Sequence, residues 1–558
     1  MADISIAQHY HQRTKYDPAT IHEKSQGLDF SKQPRPYKEY KLGHEIDLKP
    51  YLEDEPPEAD DEWRWWQRLS RLLIDSYGLT AKVMTFSGEP MYLRSAPSAG
   101  GLYPAEIYLV SRGTSLLPAG LYNYQVRTHS LWRYWDDHPW QALQAACFWH
   151  PALETTQMAL VVSAVFERSA WRYQDRAYRR VFLDSGHLLG NLEVAGTLCD
   201  YRPHLIGGFA DGLVNQLLYL DGVEESAIAL LALADLFQVD QNLPTACSAL
   251  PSAVSTDIDP VPDGELLHYL HEKTLIAEDS GFGQREQAGT VLPVPPGSDE
   301  DEASLADQAA EAAGAGENAS AQEGVPAEDA QADVAKPAAA KKVQADKYNF
   351  PFGITVSTTT QPIPWGDRLE NLENTLLTRR STRQYTGAPL HRADLFALLD
   401  FSYHPEHYRL QAFDQSPDYF DLGLIETFVA VSNVEALESG CYYYAPNSQE
   451  LRQIRFNRFA EDLHYLCLGQ NLGRDAGVVI FHTANLAAAV AKYGERAYRY
   501  LHMDAGHLGQ RLNLAATQRD LGVSGIAGFF DDQVNELLSI PAEEAVLYIT
   551  TVGQKGSR

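Results

Sequence analysis

Apolar positions fall into two regimes along this chain, and the regimes recur in the same order twice. Short apolar runs, Glu106–Val110 and Glu426–Val431, predict buried strands. Each is followed by a turn and a tyrosine-rich run, Gly120–Tyr124 and Gly440–Tyr444, that predicts a second strand. A longer stretch with helical spacing comes next in each half; in the second, Leu501, Met503, Leu508, Leu512 and Leu514 predict a long helix with one or more buried faces. A loop, Gly207-Gly208-Phe209 or Gly528-Phe529-Phe530, then leads into an amphipathic helix. The run Ala545-Val546-Leu547-Tyr548-Ile549 predicts a last strand. Helices and strands mixed in this way predict an α+β fold.

The recurrence is a duplication. Arg172–Leu218 and Lys492–Leu538 align at a constant offset of 320 with 21 identities over 47 positions and no gap. Arg176-Ala177-Tyr178-Arg179 matches Arg496-Ala497-Tyr498-Arg499, and Asp184, Gly186 and His187 match Asp504, Gly506 and His507. A register held this long marks a repeated domain rather than a short solenoid period. The expected organisation is a first domain over 1–277 with an N-terminal extension, a linker over 278–347 and a second domain over 348–558. Two copies in one chain would imitate a homodimer about a pseudo-two-fold axis. The linker reading rests on Ser298–Ala340, which holds eleven acidic residues and one basic, and on the absence of any aromatic residue between Phe282 and Tyr348. Such a segment buries too little surface to offset its ordering entropy and reads as a self-repelling tether.

The copies differ where chemistry is at stake. In the first, Pro97-Ser98-Ala99-Gly100-Gly101 forms a loop of small residues that lets a backbone approach a ligand. At the same offset the second has Pro417-Asp418-Tyr419-Phe420-Asp421, bulky and acidic, which would block an anionic ligand. The second copy instead carries Arg379, Arg380, Ser381 and Arg383, whose guanidinium forks suit a phosphate; a solvated basic cap at a helix end is the plainer alternative. Its nearest counterpart in the first copy is Gln12-Arg13-Thr14-Lys15-Tyr16, with fewer cations. Lys492-Tyr493 stands where the first copy has Arg172-Tyr173. Lysine can act as a base once its pKa is lowered, whereas arginine essentially cannot.

The remaining composition narrows the function. With 75 acidic and 45 basic residues among 558, a net charge of −30 argues against nucleic acid as a partner. None of Cys147, Cys199, Cys247, Cys441 and Cys467 forms a CxxC pair, so neither a zinc knuckle nor a disulfide framework is expected. No apolar stretch reaches 18 residues, and the first residues lack an apolar core, so a cytoplasmic protein without membrane spans is expected.

Taken together, the RRSTRQY opening, the SAPSAGGLYPAEIYLV loop, the GLYxY turn, KYGERAYRYLHMDAGH and the late Gly-Phe loop resemble the flavin-dependent nitroreductase superfamily, and within it the SagB-type (McbC-like) azoline dehydrogenases, close to cyanobactin thiazoline oxidases. The resemblance covers both halves and omits the linker. It implies two tandem FMN-dependent nitroreductase-like domains forming an intrachain pseudo-dimer, with FMN at the interface. The composite site it implies takes Arg379, Arg380, Ser381 and Arg383 for the phosphate, Pro97, Ser98, Ala99, Gly100 and Gly101 for the ring, and Ala527 and Gly528 from the late loop. The opposite site would pair Gln12–Tyr16 with the bulky loop, leaving one working site per chain unless a homodimer rearranges the pairing. Lys492 and Tyr493 are the implied catalytic pair, and no metal is called for.

The activity so implied is oxidation of peptide thiazolines or oxazolines in ribosomal peptide maturation, after a separate cyclodehydratase, with O2 reoxidising the flavin. An NAD(P)H-dependent nitro- or quinone reductase and a flavin-free peptide-binding module are the alternatives. His187 and His507, retained in both copies, are expected to be structural. Trp63, Trp65 and Trp66 are expected on a packed helix rather than a peptide-gripping surface.

Overall fold

The computed structural model describes residues 4–21, 27–84, 88, 90–238, 248–282, 345–351 and 353–556. The tether read over Ser298–Ala340 and Cys247 lie outside them. The strands of the first half are β1 (His44–Asp47), β2 (Leu79–Met84), β3 (Pro90–Arg94), β4 (Ala105–Ser111), β5 (Gly120–Gln125), β6 (Ser130–Trp135), β7 (Met158–Val165), β8 (Tyr201–Ile206) and β9 (Glu225–Asp235). Those of the second are β10 (Thr355–Ser357), β11 (Glu426–Val431), β12 (Gly440–Ala445), β13 (Glu450–Phe456), β14 (Val478–Asn485), β15 (Gly522–Ile526) and β16 (Glu544–Gly553). Two seven-stranded sheets result, ordered β1-β6-β5-β4-β7-β9-β8 and β10-β13-β12-β11-β14-β16-β15, with β2 and β3 as a separate hairpin.

The duplication extends to backbone irregularities. Glu106 pairs with Ser163 as Glu426 pairs with Thr483, at the same offset of 320. A register shift falls between Val162 and Ser163, and again between His482 and Thr483. The expected strands are all present, and Tyr122, Tyr124, Tyr442, Tyr443 and Tyr444 are buried, as their position in sheets covered on both faces requires.

The two DxGH stretches form helices Ala177–Leu198 and Ala497–Gln518, 22 residues each, buried almost throughout and packed on one another. They cross at the motif glycines. A side chain on Gly186 would collide with the Met503 carbonyl, and one on Gly506 with the Leu183 carbonyl. The RAYR motifs clamp the halves reciprocally. Arg176 and Arg179 pair with Asp531 at 2.8 and 2.6 Å, while Arg496 and Arg499 pair with Asp211 at 2.7 and 2.8 Å, all six side chains buried. The expected pseudo-dimer is therefore built within one chain, with hydrophobic core continuous across both halves.

The Trp-rich segment forms helix Asp61–Tyr77, capped by Asp60, with Trp65 and Trp66 buried, and it packs against Ala177–Leu198 as the packed-helix reading expects. Among the described residues no helix is long and apolar enough to cross a membrane. Cys147, Cys199, Cys441 and Cys467 are buried free thiols.

Candidate active site

The loop of small residues is held by the aspartate of the first DxGH motif. Ser98 Oγ donates to Asp184 Oδ2 at 2.6 Å, and the Ala99 amide donates to the same carboxylate at 3.0 Å. Ser98 Oγ also accepts from the Tyr103 amide at 2.9 Å, closing the loop on itself. Burial raises the Asp184 pKa to about 7, against the opposing effect of the Ser98 and Ala99 donors. Gly100 and Gly101 both take φ of +68°, the left-handed region where glycine is at no disadvantage. The motif histidines are structural, as expected. His187 sits between the Leu183 carbonyl (2.8 Å) and the Tyr548 hydroxyl (3.1 Å), and His507 lies beside Glu193 with Tyr419 stacked on its ring.

The basic cluster of the second copy meets this loop from across the interface. Arg379 is buried and its Nε donates to the Ser95 carbonyl at 2.8 Å, while one terminal nitrogen, Nη1, has no protein partner. Burial lowers the Arg379 pKa to about 10. Arg380 donates to the Thr80 carbonyl of β2 at 2.8 Å. Arg379 thus turns inward to the loop, whereas Arg380, Ser381 and Arg383 line an open cleft with Thr382, Gln384 and Lys555. Lys555 is missed by reading the sequence, because it lies about 170 residues beyond the cluster; an isolated bridge to Tyr385 brings it there.

Ala527 and Gly528 join from the loop after β15. A side chain on Gly528 would stand 3.5 Å from Arg180 Nη2 and 3.9 Å from the Tyr16 ring. Arg180 lies 3.8 Å over the Tyr173 ring, and the Tyr173 hydroxyl is 2.9 Å from where a Gly100 side chain would begin. Arg180 is buried and its Nη1 has no protein partner. The site therefore assembles Ser95–Gly101, Tyr173 and Arg180 from the first copy with Arg379 and Ala527-Gly528 from the second.

Two placements differ from expectation. Gln12–Tyr16 does not face the bulky loop. It packs on the second copy beside Gly528, with the Tyr16 amide donating to Asp531 (2.9 Å), Lys15 paired with Asp532 and Tyr16 bridged to Phe530. Asp531, already fixed by two arginines, draws this segment to itself. Lys492 and Tyr493 make their contacts at the other loop: Lys492 Nζ pairs with Asp421 at 2.7 Å, and the Tyr493 ring packs edge-on against Tyr500. Their first-copy counterparts, Arg172 and Tyr173, are the residues beside Gly100.

The opposite site is filled by the chain itself. Asp504 holds the bulky loop by accepting from the Phe420 and Asp421 amides at 3.0 and 2.8 Å. The Phe420 ring stacks on Tyr500 at 4.6 Å and lies against Gly207. A strap that includes Ser248–Ser252 covers the rest. Leu250 packs on Gly208, the Leu250 carbonyl accepts from the Tyr500 hydroxyl at 2.9 Å, and the Ser252 amide donates to the Tyr493 carbonyl at 3.1 Å. Asp414 and Asp418 close the far end on Arg202 at 2.8 and 2.7 Å. Tyr500 stands where the open site has Arg180, so the cation is lost on this side.

Comparison with known proteins gives the chain its relatives. The model of the nitroreductase family matches residues 76–234 and 376–554, together more than half of the chain. A crystal structure from Anabaena variabilis, classed by name as a nitroreductase, is 56% identical, covers 99% of this chain and 100% of its own, and superposes with a TM-score of 0.85. MJ1384 of Methanocaldococcus jannaschii, also classed by name as a nitroreductase, is 32% identical over 184 residues, spanning 33% of this chain and 91% of its own.

Proposed function

The chain belongs to the nitroreductase family, and from that premise we propose that it is an FMN-dependent oxidoreductase that dehydrogenates peptide thiazolines or oxazolines. The observation that carries the flavin is the meeting of the two half-sites across the pseudo-two-fold. Arg379 and Arg180 each keep a buried guanidinium nitrogen without a protein partner, Arg379 bonded to the Ser95 carbonyl and Arg180 over the Tyr173 ring, whose hydroxyl lies beside Gly100. A buried, unpaired guanidinium is costly unless a ligand completes it, so the donor set fits an anionic, planar group. Arg380, Ser381, Arg383 and Lys555 would hold the phosphate in their cleft. Pro97–Gly101 and Ala527-Gly528 would flank the ring, and Asp184 fixes the first of these loops. FMN, when bound, supplies the acceptor for a hydride.

Azoline chemistry is supported by the resemblance to SagB-type dehydrogenases over KYGERAYRY and the small-residue loop. In an azoline the C=N bond acidifies the neighbouring Cα–H, so a positioned base of ordinary strength suffices. The substrate would be a precursor peptide already cyclised by a separate cyclodehydratase, with O2 as the final oxidant. Tyr173, not Tyr493, is the motif tyrosine beside the open site, and we read Lys492-Tyr493 as the pair left in the closed one.

The decisive experiment incubates the flavin-loaded chain with a thiazoline-containing peptide in air and follows mass. Loss of two hydrogens per ring is expected. Rapid anaerobic bleaching of the flavin by micromolar NADPH, with no change in peptide mass, would instead mark a nicotinamide-dependent reductase.

A further inference from the structure

We infer that Tyr16, contributed by the segment ahead of the first copy, is the proton acceptor of the open site and that Arg180 holds it in that role. The inference rests on the flavin-dependent azoline oxidation proposed above.

The placement is specific. Tyr16 is fixed at its backbone by the amide bond to Asp531 and by the bridge to Phe530, two residues beyond Gly528. Its ring lies beside Gly528 and is capped by the Arg176 guanidinium at 4.1 Å. The Arg180 guanidinium lies with Tyr16 around Gly528 and covers the Tyr173 ring. Three cations at the start of helix Ala177–Leu198, Arg176, Arg179 and Arg180, therefore gather near Tyr16, and Asp531 is the carboxylate among them, itself paired with Arg176 and Arg179. The Lys15 charge is offset by its ion pair with Asp532. Burial pushes the Tyr16 phenol up, but the nearby charges of Arg180 and Arg176 outweigh it and bring its pKa below the ordinary tyrosine value. Tyr173, by contrast, is raised, chiefly by burial. Of the two tyrosines at the site, Tyr16 is the one shifted toward ionisation.

The closed site supplies an internal control. There the position of Arg180 is taken by Tyr500, whose hydroxyl is engaged by the Leu250 and Gly207 carbonyls, and burial pushes its phenol up. Arg496 Nε also donates to the Tyr500 hydroxyl at 2.9 Å, but there burial prevails and the phenol stays above its ordinary value.

The step balances as follows. The Cα–H bond of the azoline breaks with its proton passing to Tyr16 Oη, and its electron pair becomes the new ring double bond. FMN, when bound, would accept the hydride from the adjacent ring carbon. The phenol then returns its proton to solvent.

Tyr16→Phe tests this. The expected result is a fall in kcat of about a hundredfold or more, with KM and flavin content unchanged and the acid limb of the pH–rate profile lost. Arg180→Gln should move that limb to higher pH. A readout independent of turnover is ultraviolet difference titration of tyrosinate: the wild-type chain should show one tyrosine ionising early that Tyr16→Phe lacks. If no azoline is oxidised but the early tyrosinate is present and Tyr16-dependent, the function proposed above fails while the activated phenol stands. An unchanged kcat and acid limb in Tyr16→Phe, or an early tyrosinate that survives the substitution, overturns the inference.

Discussion

Gly100 is opposed to any side chain in two ways. Its φ of +68° disfavours other residues, and a Cβ would sit 2.9 Å from the Tyr173 hydroxyl. Gly100→Val should therefore reduce bound flavin to background while every cation stays in place, read as flavin absorbance per mole of chain. Gly212→Val, at a position with nothing within 4 Å, should keep its flavin. Lys492→Ala breaks the pair with Asp421 at the closed loop and the contact of its ammonium with the Tyr493 ring. It should retain azoline oxidation within a fewfold of wild type; loss of turnover with flavin still bound would return the catalytic role to Lys492. At this scale the sequence was legible wherever the two copies differed in residue type. It was silent on Arg180, because one arginine in the run that also holds Arg172, Arg176 and Arg179 carries no signal until its neighbours are known.

Among the elements, the two crossing helices do most to hold the site in shape. The DxGH motif combines three separate tasks: the aspartate holds a loop, the glycine permits the helix crossing, and the histidine satisfies buried partners. The RAYR motif supplies the clamps. For Asp531 burial opposes ionisation, but Arg176 and Arg179 prevail and hold its pKa below the ordinary carboxylate value. A depressed carboxylate adds stability above its unfolded pKa and loses it as pH falls through the folded one, so this clamp weakens only in strong acid. Asp531→Ala strands two buried guanidiniums and should cost about 3–5 kcal/mol in denaturant unfolding. It should also free Tyr16, lowering kcat, whereas the mirrored Asp211→Ala should cost similar stability and leave turnover near wild type. Equal losses of turnover in both would show that the clamps act on the site only through the fold.

For the whole molecule, duplication and divergence leave one open site and one closed by the chain's own strap. The expected stoichiometry is one FMN per chain, measured as flavin released on denaturation against protein concentration. Two per chain would mean that the strap and Phe420 yield to the cofactor, and that the interface sites are equivalent after all.

The sequence by itself determined the duplicated α+β fold, the strand and helix order, and the asymmetry of the loops. Those properties follow from local periodicity and from comparing one copy with the other, both of which are written along the chain. Only the tertiary structure decided which half-sites meet. It set Arg379 against Ser95, brought Lys555 to the basic cleft, moved Gln12–Tyr16 to the open site and laid the Ser248 strap across the other. Contacts between residues hundreds of positions apart depend on how the two copies dock about their axis. That docking is set by buried glycines and charge pairs whose partners no local pattern of residues identifies.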